Sequence, residues 1–332
     1  SIEEEGLKYK AFKTYSSPTR LTLIIQDLSE KIKILSKEIK GPKVGVPGTV
    51  LESFIKSQKV NKNDIFEKEI EKGKFYFIKT KAKEILTKDL LARAIPKSLN
   101  EINWKKSMKW SDNNLMWGRP LRSIVAVFNK SILKFNYHHL ITTDYAIVET
   151  DLITKTKKIK TFKEYNSFLK SNKIYLDHTE RKAKIIKRFE TICKSKNYKE
   201  NFNTRLLDEV TNIVEDPNVL LVDFKKDYLK MPNEIIISTL QGHQRYFPLF
   251  DKKDRLTNCF LVVANKTDSK NFIKEGNKRV VEARLSDAKF FWNKDKSRNL
   301  IKQIVKLKTI KFYDKIGTIY DKTQRLRKLA AL

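Results

Sequence analysis

The sequence predicts an α+β fold: a mixed α/β N-terminal region with mainly antiparallel strands, a helical middle and a helical C-terminal end. Strand and helix patterns mix along the chain without the regular βαβ alternation of parallel sheets. No glycine-rich fingerprint marks a dinucleotide-binding fold. The pattern of residues 161–215 is largely helical, and lysine and glutamate side chains cover the exposed faces.

The mixed region is assigned to residues 1–150. Arg20–Leu28 and Phe75–Ile78 are rich enough in apolar, β-branched and aromatic residues to form strands. Residues 84–95 place apolar side chains at helical spacing, and Pro96 should end that helix. Residues 124–137 indicate a hairpin that turns at Asn129–Ser131.

A glycine-rich loop, Gly41–Gly48, precedes a helix that we expect over residues 49–57. Its three glycines suggest a phosphate-binding loop. However, no Gly-Lys-Ser/Thr ending follows, and no strand is predicted to lead directly into the loop. A simple turn is therefore favoured over a nucleotide cradle.

Three further regions follow: a helical segment at 151–215, a second α+β region at 216–300, and the helical start of a further domain at 301–332. In the α+β region the patterns predict a strand at 218–224, a helix at 234–241, paired strands at 245–250 and 259–264, and a long helix over about 276–294.

One stripe of the long helix is apolar. Val281, Leu285, Ala288 and Trp292 recur at helical spacing, so they share one face. We expect this chain's own core to cover Leu285 and Trp292. The neighbouring Phe290–Trp292 aromatic run is more typical of a core or a subunit interface than of a base-stacking platform.

The formal net charge is +31, from 70 basic and 39 acidic residues among 332. Such an excess attracts polyanions such as RNA without regard to sequence. Only 14 of the 70 basic residues are arginine, and the chain is also rich in asparagine and isoleucine. That profile is also typical of an AT-rich genome, so the charge permits RNA binding without requiring it.

Two cysteines, Cys193 and Cys259, show no metal-ligand spacing. They indicate reduced thiols in a cytoplasmic protein, and a disulfide or a zinc site is the less favoured interpretation. The chain has no run of 18 apolar residues and no secretory signal pattern at its start. No membrane partner is therefore expected.

Three dense phrases occur in order: Leu206-Leu-Asp-Glu-Val-Thr211, His243-Gln-Arg-Tyr-Phe-Pro248 and Ala283-Arg-Leu-Ser-Asp-Ala-Lys-Phe-Phe291, with Gly276-Asn-Lys-Arg-Val280 before the third. Together they resemble the beta subunit of the two-subunit bacterial glycyl-tRNA synthetase. Weaker likeness covers nearly the whole chain, at Gly317–Thr323, Ser17–Leu21, Gly41-Pro42, Trp110 and Arg119-Pro120.

The resemblance implies a glycine–tRNA ligase subunit that binds tRNA(Gly) and assembles with an alpha subunit and a second beta subunit. It implies that adenylation, with ATP and Mg²⁺, resides on the alpha subunit, so no catalytic residue, metal or cofactor is assigned to this chain. The family's opening strand and its later helical and anticodon-binding domains have no counterpart here. We therefore expect a fragment.

Two other functions remain open at this point. The chain could be a stand-alone basic RNA-binding module without a ligase partner. It could also be a hydrolase that edits mischarged tRNA, which is suggested only by a likeness to the mixed domain of the phenylalanyl-tRNA synthetase beta subunit.

The His243–Pro248 phrase offers the first candidate RNA contacts. If a strand begins at Arg245, then His243 and Arg245 share one face and could contact phosphate or ribose, and Tyr246 could stack on a base. The structural alternative, which is favoured, puts Tyr246 and Phe247 in the core.

Lys278 and Arg279 are further candidates, because a helix that opens at Gly276 would present backbone amides beside them to a phosphate. Arg119 and Arg122, just before a predicted strand, are the remaining candidates. His138 and His139 are adjacent on a predicted strand, so they point to opposite faces and cannot share a metal.

Overall fold

The computed structural model describes residues 7–34, 36, 38–58, 61, 64–71, 73–79, 83–149, 153–199 and 203–332. The described residues fall into two compact units. The N-terminal unit comprises those of Ser1–Tyr15 and Leu21–Ile174, and the C-terminal unit those of Ser16–Arg20 and Tyr175–Leu332.

The N-terminal unit consists of short antiparallel strand pairs, a three-stranded antiparallel sheet and helices. It also contains the β1–β2 hairpin, except for the hairpin tip, Ser16–Arg20, which belongs to the C-terminal unit. In chain order the elements are β1 (Ala11–Ser17), β2 (Arg20–Gln26), β3 (Lys31–Ile34), β4 (Glu38–Lys43), α1 (Gly48–Gln58), β5 (Ile65–Ile70), β6 (Gly73–Lys79), β7 (Lys83–Leu86), α2 (Thr87–Asn100), β8 (Val127–Phe128), β9 (Ser131–Ile132), β10 (Asn136–Tyr137), β11 (Leu140–Ile141), β12 (Tyr145–Glu149), β13 (Thr154–Lys158) and α3 (Phe162–Ser171).

The predicted hairpin near residue 130 is confirmed. β8 and β9 pair in antiparallel register, Val127 opposite Ile132. The two loop residues, Asn129 and Lys130, both have positive φ, at 46° and 61°. This is the conformation of a two-residue turn whose twist matches that of the strands.

The predicted helix over 84–95 is wrong at both ends. Residues 83–86 form β7, which pairs with β3, so the helix α2 starts only at Thr87. Pro96 lies inside α2, which continues to Asn100. A proline inside a helix lacks the N–H for one hydrogen bond and crowds the carbonyl four residues earlier, but here the turn that follows still packs Leu99 against the core.

The glycine-rich loop is a turn, as favoured. Contrary to the prediction, a strand does lead into it, because β4 extends through Gly41 and Pro42. Gly45 lies in the turn with φ 93°, a conformation that L side chains rarely adopt. Helix α1 then begins at Gly48.

The His138–His139 pair does not lie on a strand. β10 ends at Tyr137 and β11 begins at Leu140, so the two histidines form the turn between them, with His138 at φ 51°. The alternating pattern of residues 132–141 therefore contains a second hairpin that the sequence did not reveal.

Among the described residues, more lie in helices in the C-terminal unit than in the N-terminal unit. After the hairpin tip Ser16–Arg20 its elements are α4 (His178–Lys196), α5 (Thr204–Ile213), β14 (Asn218–Asp223), α6 (Asn233–Ser238), β15 (Phe247–Phe250), β16 (Leu256–Ala264), α7 (Phe272–Lys296), α8 (Leu300–Gln303), β17 (Lys311–Tyr313), β18 (Gly317–Thr318) and α9 (Ile319–Ala330). A 3₁₀ turn at Lys226–Lys230, a π turn at Thr239–His243 and a 3₁₀ turn at Ile304–Thr309 connect them.

The core of this unit is a three-stranded antiparallel sheet, β14–β16–β15, with helices on both faces. Successive side chains of a strand point to opposite faces. Leu261 accordingly joins a cluster with residues of α4 and α5, such as Phe189 and Val210. Its neighbour Phe260 joins a cluster with residues of α6 and α7, such as Leu285.

The strand predicted from Arg245 starts two residues later, at Phe247. Helix α6 runs on through the π turn, and Arg245 then adopts the left-handed conformation with φ 57°. The N–H of Tyr246 donates to the carbonyl of Leu240 at 3.0 Å, which closes the helix end. His243, Arg245 and Phe247 therefore do not share a strand face.

The long helix α7 starts at Phe272, four residues before Gly276. The Asp268 carboxylate accepts hydrogen bonds from the N–H groups of Ile273 at 3.1 Å and Lys274 at 2.8 Å, which caps the helix. The apolar stripe is covered by this unit's own core, as expected: Leu285 is completely buried, and Trp292 packs against the same cluster.

The prediction that residues 301–332 are helical is wrong in part. Lys315 and Gly317 have φ of 61° and 96°, and the turn they make joins β17 to β18. Thr318 and Asp321 then form a reciprocal capping box that starts α9. None of the helices in the described part of the chain combines the length and hydropathy of a membrane-spanning segment.

Candidate functional site

The three phrases of the resemblance come together in the C-terminal unit. Arg245, of the second phrase, pairs with Glu209, of the first, with Nε and Oε1 2.8 Å apart. The hydroxyl of Tyr246 donates to Asn277 Oδ1, which lies just before the third phrase on α7. Several residues of these phrases thus hold α5, the π turn and α7 together.

Tyr246 is a core residue. It is 5% exposed, and its ring stacks on Phe260 with the centroids 4.9 Å apart. Burial raises the pKa of its phenol above the ordinary value. The structural alternative is confirmed, and base stacking by Tyr246 is withdrawn, because both its ring and its hydroxyl are used inside the fold.

Arg245 lies on the surface but is held in place. Its Nε bonds to Glu209, and its Nη1 donates to the Gly242 carbonyl at 2.7 Å. The neighbouring His243 is exposed at the end of the π turn. A π turn followed by a non-glycine residue at positive φ is strained backbone, and such strain is common at functional sites. This segment remains a candidate contact through His243 and the guanidinium edge of Arg245.

Lys278 and Arg279 lie in the second turn of α7, so the predicted phosphate site at the helix start is wrong. Asp268 already occupies the first amides. Lys278 Nζ lies 2.8 Å from Asp223 Oδ2, and this hydrogen bond raises the pKa of Lys278 and lowers that of Asp223. Arg279 is exposed and has no ion-pair partner in the described part of the chain.

Arg119 and Arg122 belong to the N-terminal unit, in an irregular segment between α2 and β8. Arg122 pairs with the Glu149 carboxylate. Arg119 is exposed, and among the described residues no hydrogen bond or ion pair involves its guanidinium. Of these two candidates, Arg119 is thus the more available cation.

A cationic face on α4 was missed by the sequence reasoning. Lys187, Arg188 and Lys194 are exposed and lie within two turns of helix, and no acidic partner contacts them among the residues that the structure describes. The signal was present, because positions i and i+7 of a helix share a face. It was attributed to an ordinary solvated surface.

The described residues contain no cluster of three or more histidine, cysteine, aspartate or glutamate side chains that could hold a metal. Cys193 and Cys259 form no disulfide among the described residues. Tyr198 contacts this pair, and its burial, with a hydrogen bond to Cys259, raises the pKa of its phenol to about 12. Cys193 is fully buried in the core.

Known proteins match this chain along its length. The sequence profile described as "Glycyl-tRNA synthetase beta subunit" matches residues 1–332. A glycine–tRNA ligase beta subunit from Clostridioides difficile (strain 630) is 36% identical over 99% of the chain and 49% of the relative. Those of Rickettsia felis and Dictyoglomus turgidum are 31% and 34% identical, over 99% and 98% of the chain and 50% and 48% of the relatives.

These matches place the chain among the aminoacyl-tRNA synthetases. The chain belongs to the glycyl-tRNA synthetase beta subunit family. It spans about half the length of the curated relatives that it matches.

Proposed function

We propose that this chain is the tRNA-binding, non-adenylating part of a glycine–tRNA ligase. It works with an alpha subunit, in a complex that also holds a second beta subunit, and the alpha subunit uses ATP and Mg²⁺ to activate glycine. The observation that carries the proposal is the family match over all 332 residues.

The central sheet of the C-terminal unit does not offer an adenylation site. Such a site needs fixed cations on an accessible surface, because phosphate charge must be matched. The β14–β16–β15 sheet is covered on both faces by apolar clusters with residues such as Leu261 and Phe260. That sheet therefore leaves no open face on which a nucleotide could lie.

Unpaired surface cations support tRNA binding. Five basic side chains are exposed and lack acidic partners in the part of the chain that the structure describes. They are Arg119, Arg279 and, on α4, Lys187, Arg188 and Lys194. Lysine and arginine side chains of this kind bind RNA phosphates and release counterions. The net charge of +31 adds a long-range attraction for any polyanion.

Cys193 and Cys259 form no disulfide in the described part of the chain, and this, together with a family that acts in translation, supports a cytoplasmic location.

Glycine-dependent exchange of pyrophosphate into ATP tests the proposal. We expect no exchange with the purified chain, exchange when the alpha subunit is present, and co-purification of the two. Exchange by the chain alone, in preparations free of alpha subunit, would contradict it. Hydrolysis of mischarged tRNA by the chain alone would favour an editing enzyme instead.

A further inference from the structure

The N-terminal unit contains a concave pocket of about 240 Å³, lined by the end of α2, the irregular segment 101–126 and the β10–β11 turn. The rings of Trp104 and Trp117 lie 4.9 Å apart between centroids, and Tyr137 meets Trp117 edge to face at 6.1 Å. Trp117 and Tyr137 are buried, whereas Trp104 is partly exposed. The pocket thus has a fixed aromatic floor and one accessible indole.

The polar lining residues are neutral amides and a histidine. Asn100, Asn114 and His138 are all exposed. Asn100 Oδ1 accepts a hydrogen bond from the Tyr137 hydroxyl at 3.1 Å, which leaves the amide NH₂ group for a ligand. Among the residues that the structure describes, no lysine, arginine, aspartate or glutamate lines the pocket. This lining suits a neutral planar ring better than a phosphate or an amino-acid zwitterion.

The segment around the pocket is long, irregular and basic. It runs for 26 residues from 101 to 126, between α2 and β8, with only isolated bridges such as Met108 to Trp117. Loops of more than about 12–15 residues without secondary structure are uncommon in compact domains and are usually either functional or linker segments. The segment carries five basic residues and two acidic ones, Glu101 and Asp112. The basic residues are Lys105, Lys106, Lys109, Arg119 and Arg122.

We propose that this pocket binds one unstacked nucleobase of a single-stranded RNA segment. The base lies against Trp104, the amides of Asn100 and Asn114 contact its edge, and the surrounding cations hold the flanking phosphates. The inference rests on the proposed tRNA-binding function. It adds the place in the chain at which an unpaired nucleotide is bound.

Two short single-stranded RNAs of equal length and charge test this proposal. One is abasic at every position, and the other is abasic except for a single central 2-aminopurine. We expect the chain to bind the base-containing RNA at least about fivefold more tightly, the lower end of what one stacked base contributes, and to quench its fluorescence. Trp104→Phe, which replaces the indole with a smaller ring, and Asn114→Ala should each reduce this preference.

Two matched variants separate base binding from charge. Lys106→Ala removes an exposed cation of the same segment and should lower the affinity for both RNAs equally. Trp292→Phe changes a tryptophan of the C-terminal unit and should leave the base preference unaltered. Because Asn114 is exposed, its replacement should not change thermal melting.

Equal affinity for the two RNAs, or a preference that survives both pocket substitutions, overturns the inference. Titration with whole tRNA distinguishes this failure from a failure of the proposed function. If tRNA binds but the base preference is missing, only the pocket is wrongly assigned. If neither tRNA nor the short RNAs bind at low salt, both proposals fail.

Discussion

Arg181 is a completely buried arginine that binds carbonyl groups. Its Nε donates to Thr211 O at 3.0 Å, its Nη1 to Tyr175 O at 2.7 Å and Leu176 O at 2.9 Å, and its Nη2 to Ser16 O at 3.0 Å. Burial lowers the pKa of the guanidinium, and the nearby Glu215 charge opposes that effect. Arg181 thereby joins the β1–β2 hairpin tip to α5 within the C-terminal unit.

Arg181→Met should lower the free energy of unfolding by at least about 3 kcal/mol, since each buried acceptor left without a donor costs about 1–3 kcal/mol. Arg181→Lys should be more stable than Arg181→Met but less stable than the wild type, because one ammonium cannot reproduce the planar donor fork of a guanidinium. Chemical denaturation measures both. Arg188→Met, an exposed change on the same helix, is the control, and equal losses in Arg181→Met and Arg188→Met would contradict this role.

The role of Arg181 was not predicted, although its position carried a signal. Arg181, Ile185 and Phe189 recur every four residues, so the arginine stands in the apolar stripe of its helix. The lysine and glutamate side chains of residues 161–215 indicate only a solvated surface when they are considered by composition alone. A charged side chain within an apolar stripe should instead indicate a buried network.

Helix α7 stabilises the C-terminal unit through its apolar stripe. Leu285 is fully buried in the cluster that also contains Phe260 and Ile236. Leu285→Ala should lower the free energy of unfolding by about 2–5 kcal/mol. Arg279→Ala, on the exposed side of the same helix, should leave stability nearly unchanged and weaken tRNA binding.

Thermal melts and tRNA titrations on the two variants measure these effects. Unaltered melting of Leu285→Ala would show that the stripe contributes little to this unit. Unaltered tRNA affinity in Arg279→Ala would remove this part of α7 from the binding surface.

Two ion pairs attach α7 to the elements beside it. Lys278 pairs with Asp223 at the end of β14, and Lys289 pairs with Asp227 in the following 3₁₀ turn. Hydrogen bonds from Lys230 and Lys289 lower the pKa of Asp227 from 3.8 to about 2. A carboxylate whose pKa is lower in the folded state stabilises that state above its ordinary pKa, and the stabilisation is lost as the pH falls through the folded value.

The melting temperature of the wild type should therefore exceed that of Asp227→Asn at pH 5–7. The difference should shrink as the pH falls from about 4 to about 2. Melting curves across this range measure it. A difference that stays constant down to pH 2 would show that Asp227 acts through packing and not through its charge.

The elements that the sequence predicted well are those with strong local patterns. The β8–β9 turn and the α7 stripe follow from turn chemistry and helical spacing, and both are confirmed. The start of α2 was misplaced because pairing of residues 83–86 with the distant strand β3 decides it, and a local pattern does not report such a partner. The start of α7 did carry a local signal, the capping Asp268, which the prediction from Gly276 overlooked.

At the scale of the whole molecule, the three phrases identified the family correctly. Only some of the predicted site residues, however, remain available for contact with RNA. Tyr246 and Lys278 are used in internal contacts, whereas Arg119 and Arg279 remain available. A residue type and its spacing show that a position matters for a fold. They do not show whether its partner is a neighbour in the chain or a ligand.

The salt dependence of tRNA affinity tests the central claim, RNA binding through surface cations, most directly. The logarithm of the association constant should fall linearly with the logarithm of salt concentration, with a slope of about 0.7–0.9 per neutralised phosphate. Arg119→Ala and Arg279→Ala should each lower that slope by about one contact. A flat salt profile, or slopes that neither substitution alters, would contradict the account and leave the net charge of +31 as a compositional feature.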